Sequence, residues 1–570
     1  MDVAASVARP WLAHYPQGVP AEIDPSAPNT IVRILEESVA RYADRPAVSS
    51  FGVRMTYAQL GEASRRVAVG LQQLGLKKGD RVAIMMPNVM TYTPVVFGIL
   101  LGGYVVVNVN PQYTARELTH QLNDSGARVL FVLENFAHTV MDALPDLEKV
   151  ERAIIVKPGD LLGFKGAIIN FVSKFVKRAI KPYSLPACIT FSDFYSWAAR
   201  DKLKPVEVSP HDVAFLQYTG GTTGVSKGAT LLHRNICANV AQCEAWMKSF
   251  MGDRPDHVML TALPLYHVLA LTACCMFMSR IGAMQVLVVN PRDMPDLMKI
   301  LKQNKFTMLV MVNTLYNALC DQPDIGEVDF SRVSASISGG MATQAAVAAK
   351  WKKLTGKAII EGYGLSETSP VVCVNRLDIA DFTGGIGYPA PSTDVSIRTP
   401  DGQIAPQGEA GEICIRGPQV MAGYWNRPDE TRNVMTPDGF FRSGDVGIAL
   451  PDGTFKIVDR LKDMVVVSGM KVFPNEVEDV LVSHPAVLEA AVIGLPDEKS
   501  GEAVTAYVVR RTEDVSAEDL RAWCKQNLTP YKVPKTIEFR AMLPKTNVGK
   551  ILRRALRDEV SGANGANPSS

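Results

Sequence analysis

The sequence predicts a layered α/β fold with a small α+β module at its C-terminal end. Three observations point there. Helix-like and strand-like patterns alternate over 29–150 and again over 212–398, as they do where crossover helices join the strands of a largely parallel sheet. Between 411 and 458 the segments shorten and become Gly-rich, with turns at Asp438-Gly439 and Asp452-Gly453, which reads as antiparallel hairpins. After Asp459-Arg460-Leu461-Lys462 the pattern changes again, into a compact stretch of about a hundred residues, an ordinary domain size.

Taken in order, the first region predicts a helix over 30–42, a strand over 81–85, a buried helix over 95–101 and a strand over 104–109. The second supplies strands over 214–218, 229–232, 284–289, 308–312, 333–338 and 358–361. In the last module, helices over 474–483 and 516–527 alternate with strands over 488–494 and 503–510. A chain of 570 residues outgrows one hydrophobic core, so two domains are expected, 1–461 and 462–560, with the boundary at Lys462. The Gly, Ala, Asn, Pro and Ser of 561–570 are expected to be a disordered tail.

Apolar residues make up 47% and charged residues 21%, the balance of a soluble globular protein. The formal charge of +2 excludes the global basic field of a nucleic-acid binder. Nine cysteines form no C-x-x-C pair, and Cys274 and Cys275 lie in an apolar run, so a reducing compartment is expected and a zinc site is not. The first twenty residues hold Asp2, Arg9 and Pro10 and no continuous apolar stretch, unlike a secretory signal. The longest apolar runs, 94–107 and 268–278, fall short of the ~20 residues that cross a bilayer. A cytoplasmic protein is expected, either free or peripherally attached to the inner face of the membrane. The second option comes from 161–181, where apolar residues recur at helical spacing among Lys165, Lys174, Lys177, Arg178 and Lys181. That segment reads either as a surface helix packed on its own domain, the commoner case, or as a basic amphipathic helix lying on anionic lipid.

The chemistry is concentrated in Tyr218-Thr219-Gly220-Gly221-Thr222-Thr223-Gly224-Val225-Ser226-Lys227-Gly228. Glycines let backbone N–H groups approach phosphate oxygens, threonines add hydroxyl donors, and Lys227 adds a positive charge. The P-loop of NTPases does not fit, because Ser226 precedes the lysine and Gly228 follows it.

This loop resembles the phosphate loop of the adenylate-forming superfamily, which includes acyl-CoA synthetases, nonribosomal-peptide adenylation domains and beetle luciferases. Other motifs of that superfamily follow in register. Leu263-Pro264-Leu265-Tyr266-His267 resembles the segment whose histidine lies near the acyl carboxylate. Tyr363-Gly364-Leu365-Ser366-Glu367-Thr368-Ser369-Pro370 resembles the adenine- and magnesium-binding segment. Arg442-Ser443-Gly444-Asp445 is similar to the ribose segment, Asp459 to Asp463 to the hinge, and Pro544 to Lys550 to the segment with the catalytic lysine. The stretches from Asp438 to Asp463, Asn108 to Pro111 and Gln121 to Gly126 look most like bacterial long-chain-fatty-acid–CoA ligases.

The resemblance implies a large N-terminal domain with two sheets and a small β-barrel-like subdomain, and a mobile C-terminal domain. It implies ATP, coenzyme A and a long-chain fatty acid as substrates and Mg²⁺ as cofactor, and it allows a homodimer. Lys550, His267 and Glu367 are expected in catalysis, and Thr219 and Glu367 at the metal. The nucleotide would be held by Thr219, Gly220, Gly221, Thr222, Thr223, Gly224, Lys227, Gly339, Gly340, Tyr363, Gly364, Thr368, Asp445 and Arg460. Lys462 would be the hinge about which Ser468, Gly469 and Lys471 swing in toward coenzyme A. Leu271 stands where a long-chain relative has a tryptophan gate to its acyl tunnel, and the run 268–278 either lines such a tunnel or is plain core. Val466 replaces a second lysine found in some relatives, so no phosphate contact is assigned there. The rival readings are an adenylating ligase for aromatic acids or carrier-protein thiols, and a non-catalytic binder that kept the fold.

Overall fold

The computed structural model describes residues 8–564 apart from 25, 220–225, 252–253, 255, 498 and 547–548. Among them, two large sheets frame the first part of the chain. One runs, in spatial order, Tyr388–Pro389, Val371–Val374, Ile359–Gly364, Ala335–Ser338, Met308–Met311, Val258–Thr261, Met284–Leu287, Pro46–Ser50 and Val53–Thr56. Its middle pairings are parallel, and antiparallel pairs close both ends. The other sheet is centred on Arg81–Met85, with Val105–Asn108 and Val213–Thr219 to one side and Val129–Leu133 and Arg152–Val156 to the other.

The strand Arg81–Met85 shows why such segments read as continuous apolar runs. Val82 and Ile84 belong to the main core, while Ala83 and Met85 belong to a second core on the opposite face. Successive side chains alternate across a strand, so a strand covered on both sides must be apolar throughout. The buried helix expected over 95–101 begins earlier, at Tyr92, and every residue of Tyr92–Leu101 except the last is buried. It crosses Tyr57–Gln73 closely at Gly98, where a Cβ would lie 2.5 Å from the Val67 Cβ. Gly98→Val is therefore expected to cost about 1–3 kcal/mol through overpacking, read as a lowered melting temperature.

Four antiparallel strands, Asp394–Arg398, Gly411–Arg416, Phe441–Ala449 and Phe455–Arg460, form the hairpin region expected from the Asp-Gly turns. Gly439 and Gly453 take positive φ there. Beyond a turn containing Lys462, a five-stranded sheet with the helices Pro474–Val482 and Ala517–Asn527 encloses a separate core around Val477, Val492 and Val508. The last helix, Arg553–Asn564, overruns the tail boundary: 561–564, expected to lack order, continue it.

The segment 161–181 is a surface helix seated on its own domain, as the commoner expectation has it, but only part of its apolar side is covered. Gly163–Phe171 is an α-helix prolonged by a π-helical turn, Val172–Val176; Gly166 is buried and Ile169 packs against the main core, while Phe164, Ile168, Phe171, Phe175 and Val176 are exposed.

Candidate active site

The carboxyl ends of five strands converge on one cavity of about 480 Å³. Thr219 ends Val213–Thr219, and Pro264 and His267 follow Val258–Thr261. Val312 follows Met308–Met311, Gly339 and Gly340 follow Ala335–Ser338, and Tyr363 and Gly364 end Ile359–Gly364. Strand ends in open α/β sheets are where ligands gather.

Buried amides fix the histidine segment. Asn88 donates to the carbonyls of Thr261 (3.0 Å) and Leu263 (2.9 Å) and accepts from the Leu265 N–H (2.8 Å), while Gln217 donates to the Tyr266 carbonyl at 2.8 Å. His267 is thus presented to the cavity on a pinned backbone. Burial lowers its pKa to about 4, so the ring is a neutral imidazole at pH 7 and meets a carboxylate as a hydrogen-bond partner, not as a cation.

At the polar end, the Tyr363 hydroxyl donates to Asp445 Oδ2 at 2.8 Å, and Arg460 Nε lies 3.2 Å from Asp445 Oδ1. Asp445 stands behind these two lining residues. Any side chain at Gly364 would strike the Pro370 carbonyl, 1.9 Å from an ideal Cβ, so only glycine fits there. Glu367 is buried. Desolvation pushes its carboxyl up, while the Tyr424 hydroxyl, donating to Oε1 at 2.8 Å, pulls it back. Lys227 lines the same end, paired with Glu430 and 5.3 Å from the Tyr424 ring centroid.

Lys550 reaches this cavity from the C-terminal module, beside Arg460 and Lys462. Its partial burial draws the ammonium down to about 8, with Arg460 adding to the shift and Asp445 opposing it. The other end is apolar and rich in sulfur, with Cys243, Trp246, Met247, Met259, Phe277 and Met308.

Several expected site residues lie elsewhere. Gly220, Gly221, Thr222, Thr223 and Gly224 fall outside the described residues. Thr368 is fully buried, and its hydroxyl bonds the backbone of its own loop, donating to the Pro370 carbonyl at 2.6 Å; it shapes the loop and is not among the lining residues. Leu271 is likewise fully buried and not among them, although Val268, Leu269, Ala270 and Ala273 are. The cause is the π-helical turn Ala270–Met276, whose wider winding rotates side chains off the faces that α-helical spacing assigns. Ser468 and Gly469 form the tip of a hairpin between Val465–Val467 and Met470–Val472, and Lys471 is exposed on its second strand, all apart from the cavity lining. Tyr424 and Trp246 line the cavity without having been singled out, since nothing in their local sequence marks them; Ser443 lines it from within the ribose-like segment, where Asp445 was the residue chosen.

Comparisons with known proteins follow the same outline. The AMP-binding enzyme family matches residues 35–425, and the AMP-binding enzyme C-terminal domain matches 476–550. A long-chain-fatty-acid–CoA ligase of Escherichia coli is 49% identical over 97% of this chain and 98% of its own length. One of Yersinia pestis is 49% identical over 96% and 98%. Among solved structures, an anthranilate CoA ligase in complex with anthranoyl-AMP superposes with a TM-score of 0.82 at 25% identity, covering 95% of this chain and 99% of that one.

Proposed function

The chain belongs to the AMP-binding enzyme family, and we infer that it joins a long-chain fatty acid to coenzyme A through an acyl-adenylate. The observation that carries this reading is that Lys550, from the far end of the sequence, shares one cavity with Tyr363, Glu367, Arg460 and an apolar arm.

The fatty carboxylate attacks the α-phosphorus of ATP, one acid oxygen forms the new P–O bond, and pyrophosphate departs. Both reactants are anions, so the work is positioning and charge neutralisation. In this reading Tyr363 faces the adenine, and Asp445 accepts from the ribose hydroxyls. Lys227 and Arg460 balance phosphate charge, and Lys550 bridges the carboxylate and the α-phosphate. Neutral His267 offers a hydrogen bond to the acid without a competing charge. The alkyl chain occupies the arm past Val268 and Ala273, where each buried CH₂ is worth about 0.8 kcal/mol.

The residues present suit magnesium. Glu367 is a buried carboxyl whose charged form a cation would restore, Thr219 brings a hydroxyl to the same cavity, and no cluster of three His, Cys, Asp or Glu occurs among the described residues. That sparse donor set fits an ion held mainly by triphosphate and water. When bound, Mg²⁺ would neutralise phosphate charge and favour departure of pyrophosphate.

In the second half-reaction the thiol sulfur of coenzyme A attacks the acyl carbonyl, AMP leaves and the thiol proton is lost to solvent. We propose that the C-terminal module turns about Lys462 for this step, withdrawing Lys550 and bringing in Ser468, Gly469 and Lys471. The enzyme works in the cytoplasm, and its acyl-CoA feeds β-oxidation.

The test is fatty-acid-dependent exchange of labelled pyrophosphate into ATP without coenzyme A, followed by AMP release with coenzyme A over a panel of acids. Long-chain acids are expected to exceed benzoate and ferulate in kcat/KM by at least about 10²-fold, given the many methylenes they bury. Absence of exchange with every acid would leave only a nucleotide-binding protein, and preference for the aromatic acids would move the chain to the rival ligases.

A further inference from the structure

The helix Gly163–Phe171 and the turn Val172–Val176 present an apolar surface that no part of the described chain covers. Phe164, Phe171, Phe175 and Val176 are 58–83% exposed. This exposure belongs to how the helix is seated. Gly166 is the single buried residue of Gly163–Phe171, and a Cβ there would lie 2.0 Å from the Gly159 carbonyl oxygen. Bare backbone therefore meets bare backbone. Asn170 Oδ1 also accepts from the Gly159 N–H at 2.8 Å, and Asn135 Nδ2 donates to the Ala179 carbonyl at 3.2 Å. The helix is fixed with its aromatic face outward.

Its charge is one-sided. Lys165, Lys174, Lys177, Arg178 and Lys181 all lie between Asp160 and Asp193, with no acid among them. Aromatic tips ringed by cations match a surface that is apolar beneath and anionic on top, as a phospholipid leaflet is. A protein groove would supply the apolar part without requiring five uncompensated cations.

Under the helix lies a second cavity, of about 650 Å³. Ile169 and Val172 form its roof, Phe136 and Val289 line it, and Pro264 and Tyr266 form its inner wall. Pro264 also lines the active-site cavity, and Tyr266 precedes His267 in the chain. The two spaces thus share a wall made by the segment that presents the histidine.

We propose that the helix docks the protein on an anionic phospholipid bilayer and that the cavity beneath it receives the alkyl chain of a fatty acid drawn from that leaflet. This rests on the fatty acid being the substrate. The order of events is docking, withdrawal of the chain under Ile169 and Val172, and passage across the Pro264 wall to the nucleotide. Lys177, which also lines this cavity, sits where the trailing carboxylate crosses the surface.

The experiment uses the full-length protein with extruded vesicles of phosphatidylcholine alone or with about one third phosphatidylglycerol. Two quantities are read: the fraction that co-sediments, and acyl-CoA formation from oleate carried in the vesicles set against octanoate free in solution. Roughly tenfold stronger binding to the anionic vesicles is expected, falling in high salt. The variants F164S/F171S/F175S and K165E/K174E/K181E should each weaken binding and vesicle-oleate turnover about fivefold or more, with octanoate turnover within about twofold. Val172→Trp, which fills the cavity roof, should bind vesicles as the parent does yet turn over vesicle oleate at least about fivefold more slowly. Equal sedimentation with both vesicle types would overturn the proposal. So would unchanged oleate turnover in Val172→Trp, parallel loss of octanoate and oleate turnover, or a dimer dissolved by the serine variant with no vesicle binding. A parent protein inactive on octanoate and on detergent-dispersed oleate would instead sink the substrate reading.

Discussion

Lys550→Ala is expected to slow acyl-AMP formation by about 10²–10³-fold, the range for removing one group that meets charge developing in a transition state. Transfer from supplied acyl-AMP to coenzyme A should stay within a few-fold, because the lysine is needed only while carboxylate and α-phosphate approach each other. Pyrophosphate exchange and single-turnover thioester formation measure the two steps separately, and equal losses in both would remove Lys550 from the chemistry. The pH profile supplies a second reading. The ammonium is drawn down to about 8 by its partial burial and by Arg460. A lysine is charged below its pKa, so kcat/KM for ATP should fall as pH rises through about 8. Lys550→Arg keeps its charge at that pH, and whatever activity it retains should show this limb displaced upward. Lys462 is also drawn down to about 8, first by burial. Lys462→Arg should therefore leave the limb in place.

Arg553→Ala should be the most damaging substitution outside the cavity. The guanidinium, only 15% exposed, is held by Glu478 (3.0 and 2.7 Å) and Asn475 Oδ1 (2.5 Å), with Asp463 Oδ2 at 3.4 Å and Asp459 Oδ1 at 3.7 Å. Asp459 lies before Lys462 and Asp463 after it, so one cation ties both sides of the proposed hinge together. Asp459 is fully buried, raised to about 6 by desolvation, and accepts the Asn475 N–H at 2.7 Å, anchoring the start of Pro474–Val482. Losing the cation from this group should cost about 3–5 kcal/mol, because Asp459 and Glu478 lose their cation, while Asp463 keeps Arg557 at 2.7 Å. Since Arg553 lies three residues past Lys550, adenylation should suffer more than thioester formation, and Arg553→Lys should restore part of it. Thermal denaturation with the two half-reaction assays checks this. A fall in stability with both half-reactions lowered alike would make the cluster purely structural.

Much of this arrangement was legible in the sequence. Arg81–Met85 is bounded as its apolar run predicts, and Thr219, Lys227, His267, Gly339, Tyr363, Glu367 and Lys550 do line one cavity, because motifs on strand ends carry their geometry with them. What escaped depends on relations that local pattern does not encode. Leu271 was misplaced because a π-helical turn changes which face a residue presents. Thr368 has the chemistry of a ligand-binding hydroxyl but uses it on its own backbone. Tyr424 meets Glu367 across 57 positions, and Trp246 reaches the apolar arm from the helix His233–Met251. The helix at 163–176 showed the right periodicity, yet periodicity cannot tell whether an apolar stripe faces in or out.

Three methionines line the apolar arm. Met247, Met259 and Met308 are unbranched thioethers with three soft torsions each, and they re-pack around whatever touches them at little strain. An arm lined by such side chains has soft walls. It ranks guests by how many methylenes they bring, and a kinked, unsaturated tail is accommodated much as a straight one is.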